Sequence, residues 1–321
     1  MYARHTIQGV VLRKFVLLFL SVFLIFSLVI SCAKKQEETR GPITVASKID
    51  TEGALLGTMI VILLEEHGFA VENKVQLGPT DIVRKAIING QIDIYPEYTG
   101  NGGFFYPEAP RDVWKDRIEA YRTVRDLDYE THRLVWLEPA PANNTWAIAV
   151  RKDLAGGSLS TLEDLARYIE QGGEFKIAVS EEFVSRPDAL PAFEEAYGFT
   201  LAKSQMLVLS GGNTATTERA AAEGTDGVNA AMAYGTDGQL AALGLVVLED
   251  NLGVQPVYEP APVVREEVLK TYPEIEEILE PVFKSLTLTT LQSLNARIAV
   301  EGEDPAVVAR EYLVRKGFIS D

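Results

Sequence analysis

From Gly41 onward the chain alternates short β-like runs with helical stretches, and this alternation restricts the fold more than any other feature. Ile43–Ala46 reads as a strand, and Glu52–His67 as a mostly buried helix closed by Gly68. Val71–Leu77 is strand-like, Asp81–Asn89 helical with Thr80 placed to cap it, and Ile92–Tyr95 a strand again. A helix around Asp112–Asp128 precedes the strand Leu134–Leu137, the turn Glu138-Pro139-Ala140-Pro141 and the strand Trp146–Val150. A second block follows: helix Leu162–Ile169, strand Lys176–Val179, helix Ala189–Tyr197, strand Met206–Leu209, helix Thr214–Glu223 and strand Val228–Ala233. After Val257 the pattern reads as almost wholly helical, with Asp304-Pro305 as a cap followed by proline at the first helical position. The pattern predicts an α/β fold with largely parallel sheets covered on both faces. Ligands of such sheets collect at the carboxyl ends of strands, so the loops there are where a site is expected.

Roughly 280 residues in two α/β blocks are too many for one comfortable core, which predicts two lobes with a cleft between them. A hydrophobic content of 47% excludes a disordered chain. A formal charge of −16 argues against nucleic acid, whose phosphates need a basic face. One cysteine makes no intramolecular disulfide, and three histidines leave little material for a zinc site. Glu182 and Asp237 are acid–base candidates, but no nucleophile with a base, metal cluster or phosphate loop accompanies them. The expectation is a binding protein without cofactor or metal, not an enzyme.

The N-terminal segment has a different character. Residues 1–31 carry Arg4, Arg13 and Lys14 and no carboxylate, so removing them takes the charge from −16 to −19. An apolar run from Phe15 to Ile30 follows, broken only by Ser21 and Ser27. Positive flank, apolar core and small-residue exit are the regions of an export signal; a retained anchor helix and a soluble cleaved form are the alternatives. The ending Val29-Ile30-Ser31-Cys32 resembles a bacterial lipobox, in which the cysteine is acylated and becomes the new N-terminus. On that reading residues 1–31 are a lipoprotein signal peptide and residues 32–41 a polar tether. Acyl chains on Cys32 then hold the body at the outer side of a membrane, on the periplasmic side or the cell surface. The best later candidate for a span, Ala54 to Leu64, has eleven residues and suits a buried helix.

Several segments join a strand to a polar or aromatic loop, each with a plain structural alternative. Tyr95-Pro96-Glu97-Tyr98-Thr99-Gly100-Asn101-Gly102-Gly103 leaves a strand and places Tyr98 in a glycine-rich loop, either as a packed turn residue or as a ligand contact. Pro141-Ala142-Asn143-Asn144-Thr145-Trp146 leads into a strand, with Trp146 either core or site. Glu182-Phe183-Val184-Ser185-Arg186-Pro187-Asp188 puts Arg186 ahead of a helix start, solvated or functional. Ala233-Tyr234-Gly235-Thr236-Asp237-Gly238 ends another strand, and Pro256-Val257-Tyr258 ends the second block. Ser210-Gly211-Gly212-Asn213-Thr214 lacks a P-loop lysine and reads as a helix cap.

Taken in order, Ser47-Lys48-Ile49-Asp50-Thr51-Glu52, the YPEYTGNGG loop, PANNTW, EFVSRPD, AYGTDG and PAPVVR resemble the quaternary-ammonium-binding receptors of ABC importers. This is the glycine betaine, choline and proline-betaine group, and the likeness runs from about Ile43 to Phe318. The resemblance implies a two-lobed periplasmic-binding-protein (Venus flytrap) fold of type II. It assigns residues 42–147 plus 255–321 to lobe 1 and 148–254 to lobe 2. It implies an aromatic cage on Tyr98, Trp146, Tyr234 and Tyr258, with Trp146 where a tyrosine is more usual. A ligand carboxylate is implied to meet Lys48 and Arg186, with Asn101 replacing the threonine that often closes YPEYTGT. Asn144, Asp81 and Asp237 are implied as polar lining or lobe-bridging groups. A monomeric receptor serving separate permease and ATP-binding subunits follows. The alternative keeps the fold and binds another carboxylate-bearing solute, such as an amino acid or a sulfonium compound.

Overall fold

A computed structural model describes residues 40–156, 159–210 and 213–320. Signal, lipobox and most of the tether, with Cys32, lie outside the described residues, as do Gly211 and Gly212. Strand β1 (Arg40–Lys48) is followed after Ile49 by Asp50, whose carboxylate accepts from the Gly53 amide at 2.7 Å and so caps helix α1 (Thr51–Glu66). Residues Gly53–Gly57 and Met59–Leu64 of α1 are buried, as befits a helix apolar on every side. It packs against β2 (Phe69–Gly78) and, from the C-terminal end of the chain, against α7 (Glu274–Ser285), α8 (Leu288–Ala299) and α9 (Pro305–Arg315). Among the described residues no helix is long and apolar enough to cross a membrane.

Between these lie α2 (Thr80–Ile88), β3 (Ile94–Tyr98), α3 (Arg117–His132) and β4 (Leu134–Trp136). The second block contains β5 (Trp146–Arg151), α4 (Leu162–Glu170), β6 (Ile177–Ser180), α5 (Leu190–Tyr197), β7 (Met206–Leu209) and α6 (Thr214–Glu223). β8 (Ala230–Tyr234) and β9 (Leu245–Val247) complete its sheet, and β10 (Pro260–Arg265) returns to the first. The sheet orders are β2-β1-β3-β10-β4 and β7-β6-β8-β5-β9.

Both sheets are mixed, which corrects the expectation of largely parallel ones. β1 runs parallel to β3, and β6 parallel to β7 and β8. β10 runs antiparallel to β3 and β4, and β5 antiparallel to β8 and β9. The reason is where the chain crosses. It enters each sheet at the carboxyl end of a resident strand, with Trp146 opposite Tyr234 and Pro260 opposite Tyr98, and so must run back against it.

Three local expectations also change. Pro260–Arg265 is a strand inside the stretch read as helical. The third helix begins at Arg117 behind an Asp116 cap, because residues 111–115 form a separate 3₁₀ turn around buried Trp114. Thr80 caps nothing: it is the first residue of α2, after Pro79.

Candidate functional site

The two crossing segments, residues 137–145 and 248–259, are bonded to each other: the Asn144 amide donates to the Tyr258 carbonyl and the Tyr258 amide to Asn143 Oδ1, both at 2.8 Å. Beside them, at the carboxyl ends of β1, β3 and β8, lies a narrow cleft with about 430 Å³ of free space, open solvent at its mouth included. It is lined by Lys48, Ile49, Asp50, Pro79, Thr80, Tyr98, Asn101, Asn144, Trp146, Glu182, Arg186, Tyr234 and Tyr258. Eight of the ten residues singled out in the sequence therefore share one cavity, supplied by both sheets.

Strand register brings the rings together. Trp146 and Tyr234 are directly opposed on β5 and β8, and their ring centroids stand 4.7 Å apart. Phe183 backs Trp146 at 5.2 Å. Tyr98 closes β3, and Tyr258 lies two residues before its opposed partner Pro260. The Tyr258 ring lies flush against Gly100, where a Cβ would come within 2.8 Å of it. Burial holds the hydroxyls of Tyr98, Tyr234 and Tyr258 well above the ordinary phenol value, so all three rings stay neutral.

The cations of the cleft are already engaged. Lys48 Nζ lies 2.6 Å from Glu97 Oε1 and 4.6 Å from the centroid of the Tyr98 ring. Arg186 Nη1 donates to Asn101 Oδ1 at 2.8 Å and to Glu182 Oε1 at 3.0 Å, while Nε and Nη2 hold the two oxygens of Asp188. Its guanidinium sits 4.5 Å from the centroid of Phe104 and 6.0 Å from that of Trp146. Four of five guanidinium hydrogens are thus bonded to the protein, as is one of three on Lys48. Asn144 turns Nδ2 to Glu52 at 3.1 Å and leaves its buried Oδ1 without a partner.

Two expected residues stand elsewhere. Asp81 is on the outer surface, paired with Lys85 at 3.0 Å, because the turn of α2 that brings Thr80 to the cleft points Asp81 away. Asp237 lies behind the lining, where it accepts from the Tyr234 amide at 2.6 Å and from Thr214 Oγ1 at 3.0 Å. It fixes the backbone that carries Tyr234. Asn213, from the glycine-rich turn, caps α6 as that motif suggested.

Asp50 and Glu182 line the cleft although the motifs did not single them out as lining. Behind Tyr98 the carboxylate of Glu52 accepts from the Tyr98 hydroxyl at 3.0 Å and from Asn295 at 2.8 Å. The signal available for Asp50 was its place as a helix cap directly after a strand, where a capping carboxylate also faces the strand-end cleft. Asn295, distant in sequence, carried no such signal.

The substrate binding domain of ABC-type glycine betaine transport systems, the OpuAC family, matches residues 41–315. The glycine betaine-binding protein YehZ of Escherichia coli is 58% identical over 282 residues, which are 88% of this chain and 92% of that protein. The apo structure of YehZ superposes with a TM-score of 0.64 at 59% identity, covering 87% of this chain and 99% of that one. Lactococcal OpuAC, solved closed on glycine betaine, matches with a TM-score of 0.57 at 13% identity over 86% of this chain and 96% of its own, a likeness of fold alone. The fold is that of the type II periplasmic binding proteins. The chain belongs to the family of substrate-binding domains of ABC-type glycine betaine transport systems.

Proposed function

We propose that this chain is the extracytoplasmic solute-binding lipoprotein of an ABC importer. It binds a quaternary ammonium osmoprotectant, glycine betaine or a choline-like compound, in an aromatic cage and delivers it to the permease. The family is one of transport receptors rather than of enzymes. The observation that carries the reading is the convergence of Tyr98, Trp146, Tyr234 and Tyr258 on one cleft fed by both sheets. A trimethylammonium group cannot donate an ordinary hydrogen bond, and ring faces are what recognise it. Asp50 and Glu182 add negative charge to the same lining.

Each desolvated ring face contributes roughly 0.5–2 kcal/mol, so four give about 2–8 kcal/mol before costs. Micromolar binding needs about 8 kcal/mol, so a betaine carboxylate must be held as well. The two remaining hydrogens of Lys48 and the fifth of Arg186 supply charge-assisted donors for it. Residues 42–147 with 255–321 form lobe 1 and residues 148–254 lobe 2. A ligand touching Tyr98 and Lys48 from one and Arg186 and Tyr234 from the other favours closure, which the permease reads.

Glycine betaine or choline is expected to change the fluorescence of Trp146, and the change should vanish in Trp146→Phe, because Trp114 and Trp136 lie in a separate core. A panel in which ordinary amino acids displace betaine at equal concentration would favour the other carboxylate-bearing solutes. No fluorescence or heat response to any quaternary ammonium compound would sink the proposal. Lipid attachment at Cys32 is tested by mass: the mature wild-type protein should carry acyl chains on an N-terminal cysteine, and Cys32→Ala should not.

A further inference from the structure

Glu52 is an unusual neighbour for a binding cleft. It is 3% exposed, in the first turn of α1, and none of the ion pairs among the described residues includes it. Its Oε1 accepts from the Tyr98 hydroxyl at 3.0 Å and from Asn144 Nδ2 at 3.1 Å, and its Oε2 from Asn295 Nδ2 at 2.8 Å. Asn295 also donates to the carbonyl of Thr236, two residues beyond Tyr234. Neutral donors from β3, the 137–145 crossing and α8 thus hold a carboxylate that has no counter-cation.

We propose that Glu52 is a positioning residue for the cation site: it fixes the Tyr98 ring from behind and sets a negative charge beneath it, so quaternary ammonium affinity rises as Glu52 ionises. The inference rests on the reading of the cleft as a cation-binding site. A phenol donating to a carboxylate carries more negative charge on its ring, and a cation before that ring completes the missing pair. Burial pushes the Glu52 carboxyl up to about 7, with the nearby Asp50 charge acting in the same direction. The site therefore titrates where a bound cation can shift it, and by linkage a cation that favours the ionised form expels its proton. The other charged or titratable groups facing this site are Lys48 and Asp50 before α1, Tyr95, Glu97 and Tyr98 on β3, Tyr234 and Asp237 at the end of β8, and Glu182, Arg186 and Tyr258 across the cleft. Burial also raises Asp50, in the lining, and Asp237, beyond it, and both are shared by wild type and variant alike.

The test uses tetramethylammonium, which does not titrate and has no carboxylate, titrated calorimetrically into the whole protein from pH 5.5 to 8.5. Wild-type affinity is expected to rise about three- to tenfold across that range, the effect of one partly screened charge. At pH 7 binding should release a fraction of a proton, read from the dependence of the heat on buffer ionisation enthalpy. Glu52→Gln should stay near the wild-type value at pH 5.5 and keep only the smaller slope and proton release that come from Asp50 and Asp237. Proton release by the wild type needs no variant, so the test stands even if Glu52→Gln folds poorly. Flat wild-type affinity without proton release, or a variant that keeps the wild-type slope, overturns the proposal. Failure of tetramethylammonium, choline and glycine betaine to bind at any pH would instead overturn the cation site itself.

Discussion

Each ring of the cleft is held by a distinct neighbour, so single substitutions separate presenting a ring from merely possessing it. Tyr98→Ala removes one ring face and its hydroxyl, and should weaken quaternary ammonium binding about two- to thirtyfold by calorimetry. Gly100→Ala should act on a different ring, because its Cβ would press within 2.8 Å of Tyr258. We expect a several-fold loss of affinity with the circular-dichroism spectrum unchanged; full affinity would show that the ring moves aside freely. The aromatic positions were legible only through the family resemblance, because each motif by itself read equally well as core packing or as a ligand contact. Asp81, implied by the same resemblance, was misplaced, since one residue along a helix turns a side chain by about 100°, and Thr80 faces the cleft instead. Glu97, which holds both Lys48 and Asn101, sits inside a quoted motif, yet only the parallel pairing of β1 with β3 reveals that Lys48 is its partner.

At the scale of elements, most helices were readable from their caps and apolar spacing, whereas β10 was hidden by its prolines. Pro260 and Pro262 lack the amides a central strand would use, and such a sequence argues against a strand. The structure resolves this by facing both toward the 137–140 crossing, where their carbonyls accept from Leu137 at 3.0 Å and Ala140 at 2.8 Å. Ala261, Val263 and Val264 are fully buried and make the strand core instead. Helix α1 gives the sharpest test of an element. Its cap, Asp50, takes the Gly53 amide and also lines the cleft. Asp50→Ala should cost about 1 kcal/mol in denaturant unfolding, the usual worth of a cap. Its buried carboxyl is raised above the usual range by desolvation, so the loss should be smaller at pH 8, where keeping it ionised is costly. Equal or greater loss at pH 8 would contradict this.

The whole molecule carries a cost of the same kind. Burial raises the carboxyls of Asp50, Glu52, Asp237 and Glu259, and Glu218, whose oxygens lie buried beside Asp237, is raised with them. For an acid raised on folding, the native state binds the proton more tightly than the unfolded chain. Stability is therefore highest below the unfolded value and falls as pH rises from 4.5 through about 7 for Glu52. That group alone corresponds to about 3 kcal/mol, an order-of-magnitude figure. The half-buried carboxylates Asp164 and Glu303 are lowered instead, chiefly by hydrogen bonds from the Ser160 amide and Arg297, and their contribution changes only below about pH 4.5. The melting temperature without ligand should thus be roughly 5 °C or more higher at pH 5.5 than at pH 8. An equal or higher value at pH 8 would contradict the buried-acid account. Two lobes could be read from the sequence because two α/β blocks exceed one core. The mixed sheets could not, since strand direction follows from where the chain crosses between them.

The central claim is that ring faces in this cleft select a fully methylated nitrogen. Calorimetric titration with glycine, its mono- and dimethyl derivatives and glycine betaine varies only methylation while keeping the carboxylate that Lys48 and Arg186 would meet. The account predicts affinity that climbs with each methyl group, with glycine betaine saturating and glycine giving no measurable heat of binding. Equal affinity across the series, or glycine binding more tightly than glycine betaine, would contradict it.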